Sequence, residues 1–133
     1  MNRTRLTLRV DFGANRALGP GKVRLLEAIR DTGSISQGGR ALGMSYRRAW
    51  RLVDDLNRCF REPVINAQPG GADGGGTTLT VFGLELIRDY RAIEEAAATA
   101  AEQRLNKLRQ RLRVSGAGVS KLPKTSVRAL SRR

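Results

Sequence analysis

Arg47, Arg48 and Arg51 fall in the first two turns of a segment, 45–58, that reads as a helix. A guanidinium is a planar fork of donors that pairs bidentately with guanine O6 and N7 or grips a phosphate. Ser45 and Tyr46 add hydroxyls at the start of the same segment, where the free backbone N–H groups of a helix also favour phosphate. Asp54 and Asp55 come later, so the cationic half comes first. That polarity suits a helix whose N-terminal residues approach base edges in a major groove. Alone, such a helix would be only a solvated arginine-rich face, so its surroundings decide between the two readings. Just upstream, Ser34, Ser36 and Gln37 can donate to backbone phosphates and hold a register. Simple capping explains Ser36 equally well, whereas the longer amide of Gln37 can reach outward. Trp50, beside Ala49 at the edge of the apolar stripe, is expected to be a partly buried ring.

Enzymatic chemistry is poorly supplied. The sequence contains no histidine, which removes the commonest general base and the commonest metal ligand. Cys59 is the only cysteine, so an intramolecular disulfide and a cysteine-based zinc cage are both excluded. It sits on a predicted helix between Arg58 and Phe60 with no base in sight, and no carboxylates are grouped for acid–base work. The expectation is no catalytic residue, no metal site and no cofactor.

The elements that must position the arginines are legible from spacing. Leu6, Leu8, Val10 and Phe12 alternate with polar residues, the period of a half-buried strand. Residues 13–21 read as loop. Val23, Leu26 and Ile29 then mark one face of a helix that starts after Pro20 and is capped by Gly33. Ser34 and Ser36 offer N-caps for a short helix to Leu42, broken by Gly43. From Ser45, the residues Ala49, Val53, Leu56 and Phe60 step by four, three and four, the inner stripe of a third helix. Two short helices joined by a tight glycine-containing turn make a helix-turn-helix. Pro63 ends that helix. Val64 and Ile65 begin a strand, residues 69–76 form a glycine-rich tip and Thr77-Thr78-Leu79 returns, which together make a β-wing. Gly74, Gly75 and Thr77 are its candidate contacts to the duplex, the glycines through backbone N–H groups; an ordinary loose hairpin is the rival reading. Thr80 can cap a long last helix, along which Ile93, Ala97, Ala101, Leu105, Leu108 and Leu112 keep a helical spacing suited to packing on another helix.

With 133 residues, the chain has one domain's worth of sequence and a formal net charge of +13. Residues 1–100 hold 15 basic against 11 acidic residues, and residues 101–133 hold ten against one. A charge of this size asks for a polyanionic partner. The basic stretch after 100 can act as a counterion-releasing DNA clamp, as a solubilising tail, or as an amphipathic lipid binder around Leu105, Leu108 and Leu112. The helix-turn-helix in the same chain favours DNA. Residues 115–133 have few large apolar groups and read as disordered. No apolar run approaches the roughly 18 residues of a membrane span, and the N-terminus lacks the apolar core of a signal peptide. No membrane association is expected, and a reduced cytoplasm is the expected compartment.

The run Gly33-Ser34-Ile35-Ser36-Gln37-Gly38, followed by Gly43-Met44-Ser45-Tyr46-Arg47-Arg48-Ala49-Trp50, resembles the N-terminal DNA-binding domain of the ModE family of molybdate-responsive bacterial transcription regulators. The glycine-rich 70–76 segment, with Leu79-Thr80 and Phe82-Gly83 after it, is similar to that family's wing and the start of its long helix. The resemblance covers roughly residues 5–95. The Ser-Ile-Ser run alone is shared with LysR-type regulators; the Ser-Tyr-basic-x-Ala-Trp run with the glycine-rich wing is sharper. It implies a mainly α fold with a small β-wing, a winged helix-turn-helix whose long C-terminal helix dimerises. It also implies operator binding through Ser34, Ser36, Gln37, Ser45, Tyr46, Arg47, Arg48 and Arg51, with Ile93, Ala97, Ala101 and Leu105 in the dimer. Two departures stand out. Asp73 occupies a wing position where the family leads one to expect a basic residue. After residue 100 comes a basic helix and tail where molybdate-sensing members carry a β-rich oxyanion-binding region.

The sequence therefore predicts a DNA-binding domain over 1–100, including the start of the dimerisation helix, and a basic extension over 101–133. The expected activity is that of a homodimeric regulator binding an inverted repeat in double-stranded DNA, without a molybdate site of its own, so that any molybdate response comes from a separate sensing partner. The alternative is a non-specific nucleic-acid binder driven by the basic C-terminal tail.

Overall fold

The computed structural model describes residues 4–67 and 76–114. It is mostly helical, and its strands pair in two small antiparallel hairpins. The described residues through Glu102 form one unit and those from Gln103 onward a second, and each is taken by itself.

The first hairpin departs from the sequence reading. Strand β1 (Val10–Gly13) pairs with β2 (Arg16–Leu18), inside the 13–21 stretch expected to be loop. Ala14 and Asn15 both have positive φ, 50° and 65°, the backbone of a tight two-residue hairpin turn. Ala-Asn is not the Asn-Gly signal such turns usually give. The strand expected over 6–12 is correspondingly shorter, because a three-residue β2 offers a ladder only from Val10 onward. Leu8 is held instead by a side chain: the Tyr90 hydroxyl donates to its carbonyl oxygen at 2.6 Å.

Helix α1 (Pro20–Thr32) starts with proline at its first turn, where a missing N–H costs nothing. It ends on Gly33 at φ 75°, whose N–H bonds back to the Ile29 carbonyl. Helix α2 (Ile35–Ala41), a turn through Gly43 at φ 73°, and helix α3 (Tyr46–Cys59) follow. Leu25, Leu26 and Ile29 of α1, Ile35 of α2, and Ala49, Val53 and Leu56 of α3 share one core. Phe60, expected to close the inner stripe of α3, lies just past the helix in extended backbone. Its ring is half-buried and meets Phe12 and Phe82 edge to face.

Strand β3 (Ile65–Ala67) pairs antiparallel with β4 (Thr77–Leu79), Asn66 opposite Thr78. The Thr77 N–H donates to the Gly33 carbonyl at 3.0 Å, tying this hairpin to the junction of α1 and α2. Asn57 holds its other end: the side-chain oxygen accepts from the Val64 N–H at 2.8 Å. The long helix α4 (Val81–Arg109) is capped by Thr80, whose hydroxyl accepts from the Gly83 N–H at 2.9 Å and donates to the Pro63 carbonyl. Gly83 packs so close to the residue preceding β3 that a Cβ there would collide with the Val64 carbonyl oxygen. Leu86, Ile87 and Tyr90 carry α4 into the core, and Arg91 forks onto Glu27 of α1 at 2.9 and 3.0 Å. These pairings hold the Arg91 guanidinium well above its ordinary pKa, through Glu27 first and Glu94 second. Helix α4 stops before Leu112, the last residue of the expected stripe. The disorder expected of 115–133, and the wing tip with Asp73, Gly74 and Gly75, fall outside the described residues.

Candidate nucleic-acid interface

Helix α3 is built to show one face. At about 100° per residue, Ala49, Val53 and Leu56 turn the same way, and all are buried. Arg47 and Arg51 fall on the opposite side, Arg48 to one flank, and Tyr46 and Trp50 to the other. All five are exposed. None of the three guanidinium groups has a hydrogen-bond or ion-pair partner among the described residues. Further along, Arg58 pairs with Asp54 at 2.7 Å, so the second half of the outer face neutralises itself. The unsatisfied positive charge is thus concentrated at the N-terminal end, where the backbone N–H groups also point outward. Ser45 starts the helix and its hydroxyl accepts from the Arg48 N–H at 3.1 Å.

What fixes this display is the close packing of α2. Gly38 and Gly39 are both buried within that short helix. A Cβ built on Gly39 would stand 2.8 Å from the Ala49 Cβ, and one on Gly38 would stand 3.0 Å from an Ile29 side-chain carbon. Two adjacent glycines inside a helix are costly to helix stability, and here their missing side chains let α2 sit directly on α1 and α3. That doublet was the sequence signal for a close approach, and the reading from spacing passed over it. The turn is closed by the Met44 and Leu42 N–H groups, both bonding to the Gly39 carbonyl at 3.0 Å.

The other expected contacts divide. Gln37 is exposed on the first turn of α2, and Ser36 is half-buried. Ser34 is buried, and its hydroxyl caps α2 by accepting from the Gln37 N–H at 3.0 Å. Thr77 is 5% exposed, so its side chain faces the body of the domain, not a partner. Successive strand residues point to opposite faces, and it is Thr78 that is exposed. Trp50 keeps 38% of its surface open beside the buried stripe, and so is more exposed than the partly buried ring expected of it. Arg40, exposed at the end of α2, is a further cation that the sequence reading did not select. On α4, Ile93 is 48% exposed, and Ala97 and Ala101 are half-buried in the same unit. Leu105, half-buried, belongs to the second unit. Among the described residues no group of three or more His, Cys, Asp or Glu side chains could hold a metal ion, and no helix is long and apolar enough to cross a membrane.

Fold and surface together define a class: a small, mostly helical domain with a helix–tight turn–helix unit and an adjacent β-hairpin, compatible with a winged helix-turn-helix. No protein-family model matches the chain. Individual proteins do. The molybdenum transport protein ModE of Azotobacter vinelandii is 37% identical over 107 residues, spanning 78% of this chain and 39% of that protein. The molybdenum-pterin-binding protein MopB of Rhodobacter capsulatus is 47% identical over 81 residues, 61% of this chain and 30% of that protein. The DNA-binding transcriptional dual regulator ModE of Escherichia coli K12 is 38% identical over 71 residues, 53% of this chain and 27% of that protein. The chain thus spans well under half the length of these relatives. Over the part it shares with them, the chain is similar to proteins of the ModE family.

Proposed function

We propose that these residues bind double-stranded DNA with sequence preference, as the winged helix-turn-helix part of a cytoplasmic transcription regulator. The observation that carries the reading is the set of three exposed guanidinium groups on the N-terminal half of α3, turned away from its buried face and without a partner among the described residues. Arg47 and Arg51 enter a major groove, Arg48 and Gln37 contact its edges or phosphates, and the wing lies alongside. Two copies meet through α4, with exposed Ile93 and half-buried Ala97 and Ala101 of the first unit in the contact, and read an inverted repeat with half-sites about 34–36 Å apart. No molybdate site is assigned to these 133 residues, and a separate partner supplies any response to that anion. Stoichiometric, tight molybdate binding in equilibrium dialysis of the isolated chain overturns that part.

The test is a selection from random duplex followed by binding of the selected site. Arg47→Ala should weaken the selected site by about 1–3 kcal/mol and relax preference at one base position. Equal loss on selected and random duplex means the residue touches only phosphate. A full loss of binding on truncation after Val114, with no sequence preference at any salt, means the basic extension is the binder instead.

A further inference from the structure

Two large aromatic side chains at the start of α3 are left on the surface. Tyr46 is 60% exposed and Trp50 is 38% exposed. Standing four residues apart, they share one flank of the helix. Their rings meet edge to face, with centroids 6.2 Å apart and planes at 74°. Neither the phenol nor the indole N–H has a hydrogen-bond partner among the described residues. The comparison with Phe12 is instructive: that ring is also exposed, yet it packs on Phe60, which in turn packs on Phe82. The Tyr46–Trp50 pair touches no third ring among the described residues and forms an apolar ledge at the surface.

The neighbours of that ledge state what covers it. Arg47 lies three residues before Trp50, and Arg51 directly follows it; both are exposed and have no partner among the described residues. A ledge flanked by uncompensated cations is complementary to a polyanion that carries apolar groups beside its charges. In the major groove the one apolar group on a base edge is the thymine C5-methyl. We propose that Tyr46 and Trp50 together read a thymine methyl next to the base pair approached by Arg47, and so set sequence preference by apolar contact where the arginines set it by hydrogen bonding. This rests on the DNA-binding reading above and assigns to Trp50 a contact beyond its place at the edge of the core.

Uracil scanning tests it on the unaltered 133-residue chain. In the selected duplex each dT is replaced in turn by dU, which removes the methyl and leaves the hydrogen-bonding edge intact, and affinity is read by fluorescence anisotropy at fixed salt. One or two positions per half-site should lose about fourfold, the worth of one buried methyl. Trp50→Ala and Tyr46→Ala should each bind the dT and dU duplexes alike. Should Trp50→Ala melt early, the more exposed Tyr46→Ala and the scan itself still decide. The inference is overturned if no thymine is methyl-sensitive, if the sensitivity survives in a folded Trp50→Ala chain, or if the variants lose self-association in sedimentation while keeping the dT preference. A selection that yields no preferred sequence overturns the DNA reading and this one with it. A preferred sequence whose methyls are ignored overturns this one alone.

Discussion

Gly39→Ala is the substitution that most directly tests how the arginine face is held in place. An alanine in a helix is ordinarily worth up to about 1 kcal/mol over glycine. At Gly39 the added methyl would stand 2.8 Å from the Ala49 Cβ, whereas carbons prefer about 3.5–4.0 Å. Both atoms are fixed to backbone, so no rotamer change relieves the contact. Helix α2 must instead move by roughly 1 Å away from α3, at the ~1–3 kcal/mol typical of overpacking. Set against the propensity gain, the net is a loss of about 1–2 kcal/mol. Gly21 provides the control: it lies in the first turn of α1 with open space where a Cβ would go. Gly21→Ala should therefore be neutral or stabilising by up to ~1 kcal/mol. Urea unfolding of the full chain separates the two by sign, with unchanged m-values. Ala49→Gly is the natural compensation. Alone it costs a methyl and some helix propensity, but combined with Gly39→Ala it removes the clash. The double variant should be more stable than the sum of the singles by about 1–2 kcal/mol. If Gly39→Ala stabilises as Gly21→Ala does, or the two changes at 39 and 49 simply add, then α2 is not seated on α3 through these glycines.

Tyr90 is fully buried, with its hydroxyl on the Leu8 carbonyl. Burial, and secondarily Glu94, push its pKa up from the ordinary value. A group raised in the fold contributes stability that is whole below the unfolded pKa, about 10, and is lost as pH climbs through the folded value. Tyr90→Phe should cost about 0.5–1.5 kcal/mol at neutral pH and should flatten the fall in stability above pH 10, read from urea midpoints across pH. Asn57→Ala strips the Val64 N–H of its acceptor and should cost about 1–3 kcal/mol. Because Val64 leads into the wing, amide exchange should speed up in β3 before it does in α1; uniform acceleration would mean the bond does not anchor the hairpin.

Much of the domain is legible in local spacing, since helices are local objects. Period, caps and breakers place α1 after Pro20, stop it at Gly33, start α3 after Ser45, and end it before Pro63. The same arithmetic separates Ala49, Val53 and Leu56 from Arg47 and Arg51. Strands are less readable. The first hairpin turns on Ala14 and Asn15, which carry no strong turn signature, and its short second strand cuts the first one down. The expected wing contact at Thr77 shows the cost of period two: a choice of face made one residue off puts every side chain on the wrong side.

The sequence by itself settles the charge, the want of histidine, the helical periods and the outward arginines, because these depend on residue type and on neighbours a few positions away. Only the tertiary structure decides that two glycines exist to bring helices together, that Ser34 is spent on a cap and Thr77 on the interior, and that Trp50 stands open beside Tyr46. Those outcomes depend on which surfaces meet across the core, and a surface is covered or left bare only by residues distant in the chain.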